Sequence, residues 1–312
     1  MIKIKELVII ISSMVIMSAQ MNGQNVGIGA NTFTPDNSAL VEMRGTKGLL
    51  IPRMTTAQRD AISNPAQSLL IFNTTTNCFE TFVNGLWHSI WCIGPCEGIT
   101  AVTYDGVTYH TVEIGNQCWF KENLRTTKYN DGTSITNVTD NATWKSTTSG
   151  AYCCYSNNTS NCTTYGYGAL YNWYAVNTGK LCPSGWHVPS DAEWTTLTNY
   201  LSANSTYWCG SDSRYIAKSL ASTTSWNSST SICAVGNDLS ANNSTGFSAL
   251  PGGRRDYSSG SFNDLGDYGF WWSSTEYDDS YAWSYRLCYT TAIGYRSTYK
   301  KSYGFSVRCL RD

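Results

Sequence analysis

Residues 179–194 read GKLCPSGWHVPSDAEW, and two readings compete for them. Cys182 and His187 stand five residues apart around Pro183 and Gly185. A cysteine nucleophile needs such a nearby base to lower its pKa. The same stretch also reads as scaffolding. Pro189 precedes a helix start, Ser190 caps it, and Glu193 completes a Ser-x-x-Glu capping box. Trp194, Leu197 and Leu201 then recur at i, i+3 and i+7 and share one helix face. An amphipathic helix over 190–201, with alternating strand-like segments before and after it, predicts an α+β domain whose ends meet in one sheet.

The cysteine count favours scaffolding. There are twelve, all from Cys78 onward, and an even, high count in an exported chain reads as disulfides. Zinc would need paired Cys-x-x-Cys knuckles or clustered histidines. Cys92 to Cys96 is isolated, however, and His88, His110 and His187 are scattered. Export is read from the start of the chain. Lys3 and Lys5 precede an apolar run from Leu7 to Met17, the plan of a secretory signal peptide cleaved after Gln20 or Gln24. That run is shorter than the roughly 20 residues a membrane helix needs, and no later segment is apolar enough to span. A secreted or cell-surface protein is therefore expected. The net charge of −1 excludes a basic nucleic-acid surface. With only 14% of residues charged, the polar surface must come from Ser, Thr, Asn, Gly and Tyr.

Four segments follow: a signal peptide (1–24), a small β-rich fibre-like module (25–91), a linker (92–98) and a large domain (99–312). In the module, KGLLIPRM and SLLIFN read as strands, Thr55 and Gln58 as a capping box, and Asn84–Gly85 as a tight turn. So small a unit buries little and is expected to lean on a neighbour or on copies of itself. Its wording resembles a short module at the start of many Bacteroidetes surface proteins and in fibre-like adhesins. CIGPCEG, 92–98, is a turn-rich boundary in which Cys92 can bridge Cys96 or either can take Cys78. Beyond it, VTYDGVTYHTVEIGNQCWF reads as a hairpin turning at Asp105–Gly106. GALYNWYAV, 168–176, reads as a buried helix and SRYIAKSLA as a third, short one. Three or four aromatic strands run from Phe270 to Arg311.

Several of these phrases form a set. VEIGNQCWFKENLRTTKYNDGTSI, YGALYNWYAVNTGKLCPSGWHVPSDAEWTTLTNYL, GFSALPGGRRDY, YGFWWSSTEYDDSYAWSYRL and KKSYGFSVRCLRD closely resemble, in order, the Fibrobacter succinogenes major paralogous domain. The family is similar to C-type-lectin-like and formylglycine-generating-enzyme-like domains. The resemblance implies an α+β, C-type-lectin-like architecture with a terminal-strand sheet, two to three helices and long disulfide-stapled loops. It also implies a bridge between Cys182 and Cys309. Cys118 with Cys288, Cys209 with Cys233, and Cys153 or Cys154 with Cys162 are further expected pairs.

Three groups carry the functional expectation. Tyr257, Tyr268, Tyr277, Tyr281 and Trp283, with Arg254, are the expected ligand-binding set, because Tyr and Trp offer rigid contact area with a polar tip. Glu276, Asp278 and Asp279 gather three carboxylates in four residues. Calcium is the cation that would suit them, against the plainer reading of a solvated acidic loop. The lectin triplets Glu-Pro-Asn and Gln-Pro-Asp are absent, and no other cofactor is expected. The expected function is non-catalytic binding or adhesion to a glycan or a surface protein, with self-association through 25–91. A structural component of a surface or secreted assembly is the alternative. A formylglycine-generating-type oxidoreductase, using cysteines such as Cys288 and Cys309, is a third.

Overall fold

The structure is a computed structural model that describes residues 26–29, 41–44 and 48–312. The expected signal peptide lies outside the described residues. The chain divides into two compact units, one ending at Trp91 and one spanning Cys92–Asp312.

The first unit is built of short strands. β1 (Val26–Gly29) pairs in parallel with β2 (Val41–Arg44). A four-stranded sheet runs β3 (Arg53–Met54), β4 (Leu70–Asn73), β5 (Cys78–Val83), β6 (Leu86–Cys92). Helix α1 (Thr56–Asp60) opens on the expected box of Thr55 and Gln58. Asn84 and Gly85 take φ of 52° and 81° at the β5–β6 turn, the left-handed pair such a turn requires. The sheet's interior is partly polar: buried Glu80 receives Asn73 Nδ2 and pairs with Arg59 at 2.8 Å.

The second unit carries two five-stranded sheets. The first runs β13–β19–β9–β8–β7. Its strands are β7 (Ala101–Tyr104), β8 (Val107–Ile114), β9 (Gln117–Phe120), β13 (Trp186–His187) and β19 (Leu310–Arg311). The β7–β8 hairpin turns where its sequence predicts, with Asp105 and Gly106 at φ 47° and 72°. Leu310 pairs with Trp119, so the early and late segments do meet in one sheet. A small sheet joins β10 (Thr136–Asn137), β11 (Ala151–Cys153) and β12 (Leu170–Tyr171). The second large sheet runs β15–β14–β16–β17–β18. It comprises β14 (Gly252–Arg255), β15 (Phe262–Leu265), β16 (Tyr268–Glu276), β17 (Tyr281–Cys288) and β18 (Tyr295–Lys300).

Helices α2 (Asn141–Ser146), α3 (Thr159–Cys162), α4 (Trp173–Val176), α5 (Asp191–Ala203) and α6 (Ala217–Leu220) fill the connections. Only α5 is long, and it carries the predicted Ser190–Glu193 box with Trp194, Leu197 and Leu201 buried. The helix expected over 168–176 is instead a strand followed by a single turn. Asn172 caps that turn and also receives the Ala151 N–H, which holds Leu170–Tyr171 in the small sheet.

Strand β16 lies at the centre. Phe270 and Trp272 enter one apolar core and Trp271 the other, so both faces of FWW are buried. Their indoles reach across the fold: Trp271 Nε1 donates to Asn123 Oδ1 at 2.9 Å and Trp272 Nε1 to Tyr171 O at 2.8 Å.

Disulfides fix the frame. Cys182–Cys309, Cys209–Cys233 and Cys154–Cys162 form as expected. Cys118 does not pair with Cys288. It bonds Cys96, while Cys288 is free and buried. The two lie in different sheets: Cys118 on β9, and Cys288 on β17 with Sγ 3.1 Å from Thr290 Oγ1. Cys96 is therefore closed to Cys92, and Cys78 and Cys92 are disulfide-bonded too. The stretch expected as a linker is held in the second unit by the Cys96 bridge, by Cys96 N–H on Glu113 and by Arg311 on Pro95 O and Glu97.

Candidate functional site

The stretch 179–194 is framework. Cys182 is bonded to Cys309, so its sulfur is not a thiolate. His187 sits on β13 between two carboxylates, Nδ1 2.6 Å from Asp312 and Nε2 3.0 Å from Glu193. The Glu193 bond, reinforced by Asp312, raises the imidazole pKa despite partial burial. Burial pushes Glu193 up, but His187 and the Ser190 N–H and hydroxyl outweigh it and hold the carboxylate at about 2. The group that starts α5 thus ties β13 and the end of β19 to that helix. Cys288 and Cys309 share no sheet, and Cys309 is oxidised.

The expected ligand-binding residues do gather around the second large sheet, but most of their ring faces are engaged. Tyr268 stacks on Phe270 at 5.5 Å. Tyr257 packs against Tyr303 at 4.9 Å, and Lys300 Nζ lies over the Tyr257 and Tyr281 rings at 4.9 and 6.0 Å. Arg296 covers one face of Trp283 at 3.5 Å and is itself held by Asp191 at the start of α5. Tyr277 meets Trp283 edge-on at 5.2 Å and is the one member of this group that is a largely exposed ring, at 57%. Arg254 Nε stands 2.7 Å from Asp264 Oδ2, in the geometry of an ion pair rather than an aligned hydrogen bond. Its guanidinium lies over Phe270 and Tyr303. The neighbouring Arg255, on the opposite face of β14, is fully buried. It bonds Gly260 O, Val138 O, Thr139 O and Asn141 Oδ1 between the rings of Trp144 and Phe262.

The arrangement is a disulfide-bonded frame with an aromatic and cationic outer face. A profile of the Fibrobacter succinogenes major domain matches residues 112–311. The chain belongs to the Fibrobacter succinogenes major domain family. A second profile, a phage tail like trimerisation region, matches residues 27–102. No curated protein and no solved structure matches the chain.

Within its Fibrobacter succinogenes major domain, the acidic loop nominated for calcium is organised by the protein's own groups. Glu276 pairs with Lys301, whose Nζ also donates to Asp279 O at 2.9 Å and lies 4.9 Å from the Trp173 ring centroid. Asp278 Oδ1 accepts the Ser280 and Tyr281 N–H groups at 2.8 Å each. Among the described residues no three His, Cys, Asp or Glu side chains are grouped to hold a metal, and no helix is long and apolar enough to cross a membrane.

Lys301, Lys300 and Arg296 are residues that sequence reasoning missed. For Arg296 and Lys300 the signal that was available is alternation with aromatics: on β18 they meet Trp283 and Tyr281 of β17 as cation–π pairs.

Proposed function

We propose that this chain is an exported binding protein. Copies associate through the first unit and present the Fibrobacter succinogenes major domain as a rigid binding head for glycan or protein ligands. The observation that carries the proposal is the coincidence of the trimerisation-region match with unburied apolar side chains. Val41, Met43, Leu49, Leu50, Ile90 and Trp91 are all about half exposed or more, Leu50 by 80%. The far larger second unit exposes Tyr165, Ile232 and Tyr277 among its large hydrophobic residues. The first unit leaves these side chains uncovered by its own described residues, and a two-stranded sheet such as β1–β2 is marginal alone. Ten oxidised cysteines support an extracytoplasmic setting. The likeness to C-type-lectin-like domains belongs to this proposal. It is supported by the β9–β19 pairing and the Cys182–Cys309 bridge. The trimerisation match also favours the second reading, a structural part of a surface assembly.

Light scattering on the purified mature chain tests the reading. A trimer that Leu50→Glu with Trp91→Glu converts to monomer is expected. A wild-type monomer at every concentration would overturn it.

A further inference from the structure

A cleft of about 230 Å³ opens on the second unit, and none of its lining residues belongs to β17 or β18. It is lined by β8 (Val107, Thr108, Tyr109), by Glu122, Asn123 and Arg125 after β9, and by the end of α3 (Cys162) with the turn that follows it (Thr163, Gly166). The Cys154–Cys162 disulfide pins the last wall. Both charged side chains are anchored. Arg125 Nη1 donates to Thr163 O at 3.1 Å, and Glu122 accepts the His110 N–H at 2.7 Å and faces its ring Nδ1 at 2.8 Å. Yet no ion pair joins Glu122 to Arg125, although both line one space. The other guanidinium nitrogens of Arg125 carry no protein hydrogen bond among the described residues. The Thr108 hydroxyl likewise has no bond to the protein among them, and its side chain is exposed.

A fixed acceptor and a fixed donor, held apart beside an apolar wall, suit a small neutral molecule with adjacent hydroxyls. Such a ligand donates to Glu122 and accepts from Arg125, while its C–H face rests on the lining side of Val107 and Cys162. The opposed charges disfavour a net anion or cation. The volume, below the roughly 300–1,000 Å³ of drug-sized sites, suits one ring. Each Glu122 oxygen already faces one His110 nitrogen, which weakens its pull on an ammonium and disfavours a zwitterion.

We infer that this cleft binds a single neutral sugar residue, with Arg125 and Glu122 as the hydrogen-bonding pair. This rests on the binding-head reading and assigns its ligand contact to a surface other than the aromatic loops.

The full mature chain is titrated by saturation-transfer NMR with the methyl glycosides of glucose, galactose, mannose and N-acetylglucosamine, and with leucine. Binding of at least one glycoside is expected. Arg125→Ala, Glu122→Gln and the cleft-filling Thr108→Trp should each weaken it at least about tenfold while the chain stays folded, read as an unchanged near-ultraviolet circular dichroism spectrum. Thr108 lies at an exposed strand position, so its replacement spares the core. Glycoside binding that survives these variants but is lost in Tyr277→Ala overturns the cleft assignment and leaves the binding-head reading standing. Leucine binding in the cleft overturns the sugar assignment. No glycoside binding by the wild type overturns the cleft inference and removes glycan from the binding-head reading.

Discussion

At the scale of single residues, two arginines one position apart have opposite fates. Arg254 pairs with Asp264 in a half-buried position, while Arg255 is desolvated among four oxygen acceptors and two rings. A buried guanidinium is tolerable only when its donors are matched, and bonds to a charged group are worth about 1.5–3 kcal/mol each. Lysine cannot reproduce the planar fork. Arg255→Lys is expected to lower unfolding stability by about 2–4 kcal/mol in urea denaturation, with Arg254→Lys changing it by less than about 1 kcal/mol.

His187 yields a pH signature. Its pKa is raised above 6.5, so its stabilisation is complete below that pH and is lost as pH rises through the raised value. Glu193 is depressed from 4.5 to about 2, so its share is complete above pH 4.5 and is lost as pH falls toward 2. The gap in melting temperature between wild type and His187→Gln should therefore be widest between about pH 4.5 and 6.5 and narrow on either side. A gap that is flat across pH would contradict the clamp.

At the scale of elements, the loop joining β16 to β17 is held by an ammonium. Lys301 follows β18 and lies beneath the loop on Trp173, so it supplies the positive charge that the carboxylates would otherwise seek from solution. Chelation with EDTA is expected to leave the melting temperature unchanged. Lys301→Met should speed amide exchange across 276–281. A chelator-induced drop in stability would instead indicate a metal at this loop. The cluster was legible in the sequence as three carboxylates, but its partner, 25 residues beyond Glu276, was not.

At the scale of the whole molecule, the frame depends on oxidation. Cys153 and Cys288 are free and buried, and burial pushes the Cys153 thiol up to about 12. Aromatic-disulfide reagent should therefore find almost no thiol in the native protein and two per chain after denaturation without reductant. Cys182–Cys309 closes 127 residues. Replacing both with serine should cost about 2–5 kcal/mol, read as a shift in the urea midpoint.

The sequence by itself determined what closes over a few residues. It determined the Asp105–Gly106 turn, the capping boxes at Thr55 and Ser190, and the oxidised state of most cysteines. In the turn and the two caps the hydrogen bond or backbone preference is satisfied within about four positions, so side-chain chemistry alone decides it, and for the cysteines their even, high number decides oxidation whatever the pairing. Tertiary structure decided that Cys118 takes Cys96 and not Cys288, that Arg255 and not Arg254 is buried, and that Asn172 holds 170–171 in a strand. It also decided that Glu122 and Arg125 line one cleft without pairing. These outcomes depend on which segments the sheets bring together, and residue types at a local spacing do not specify that pairing.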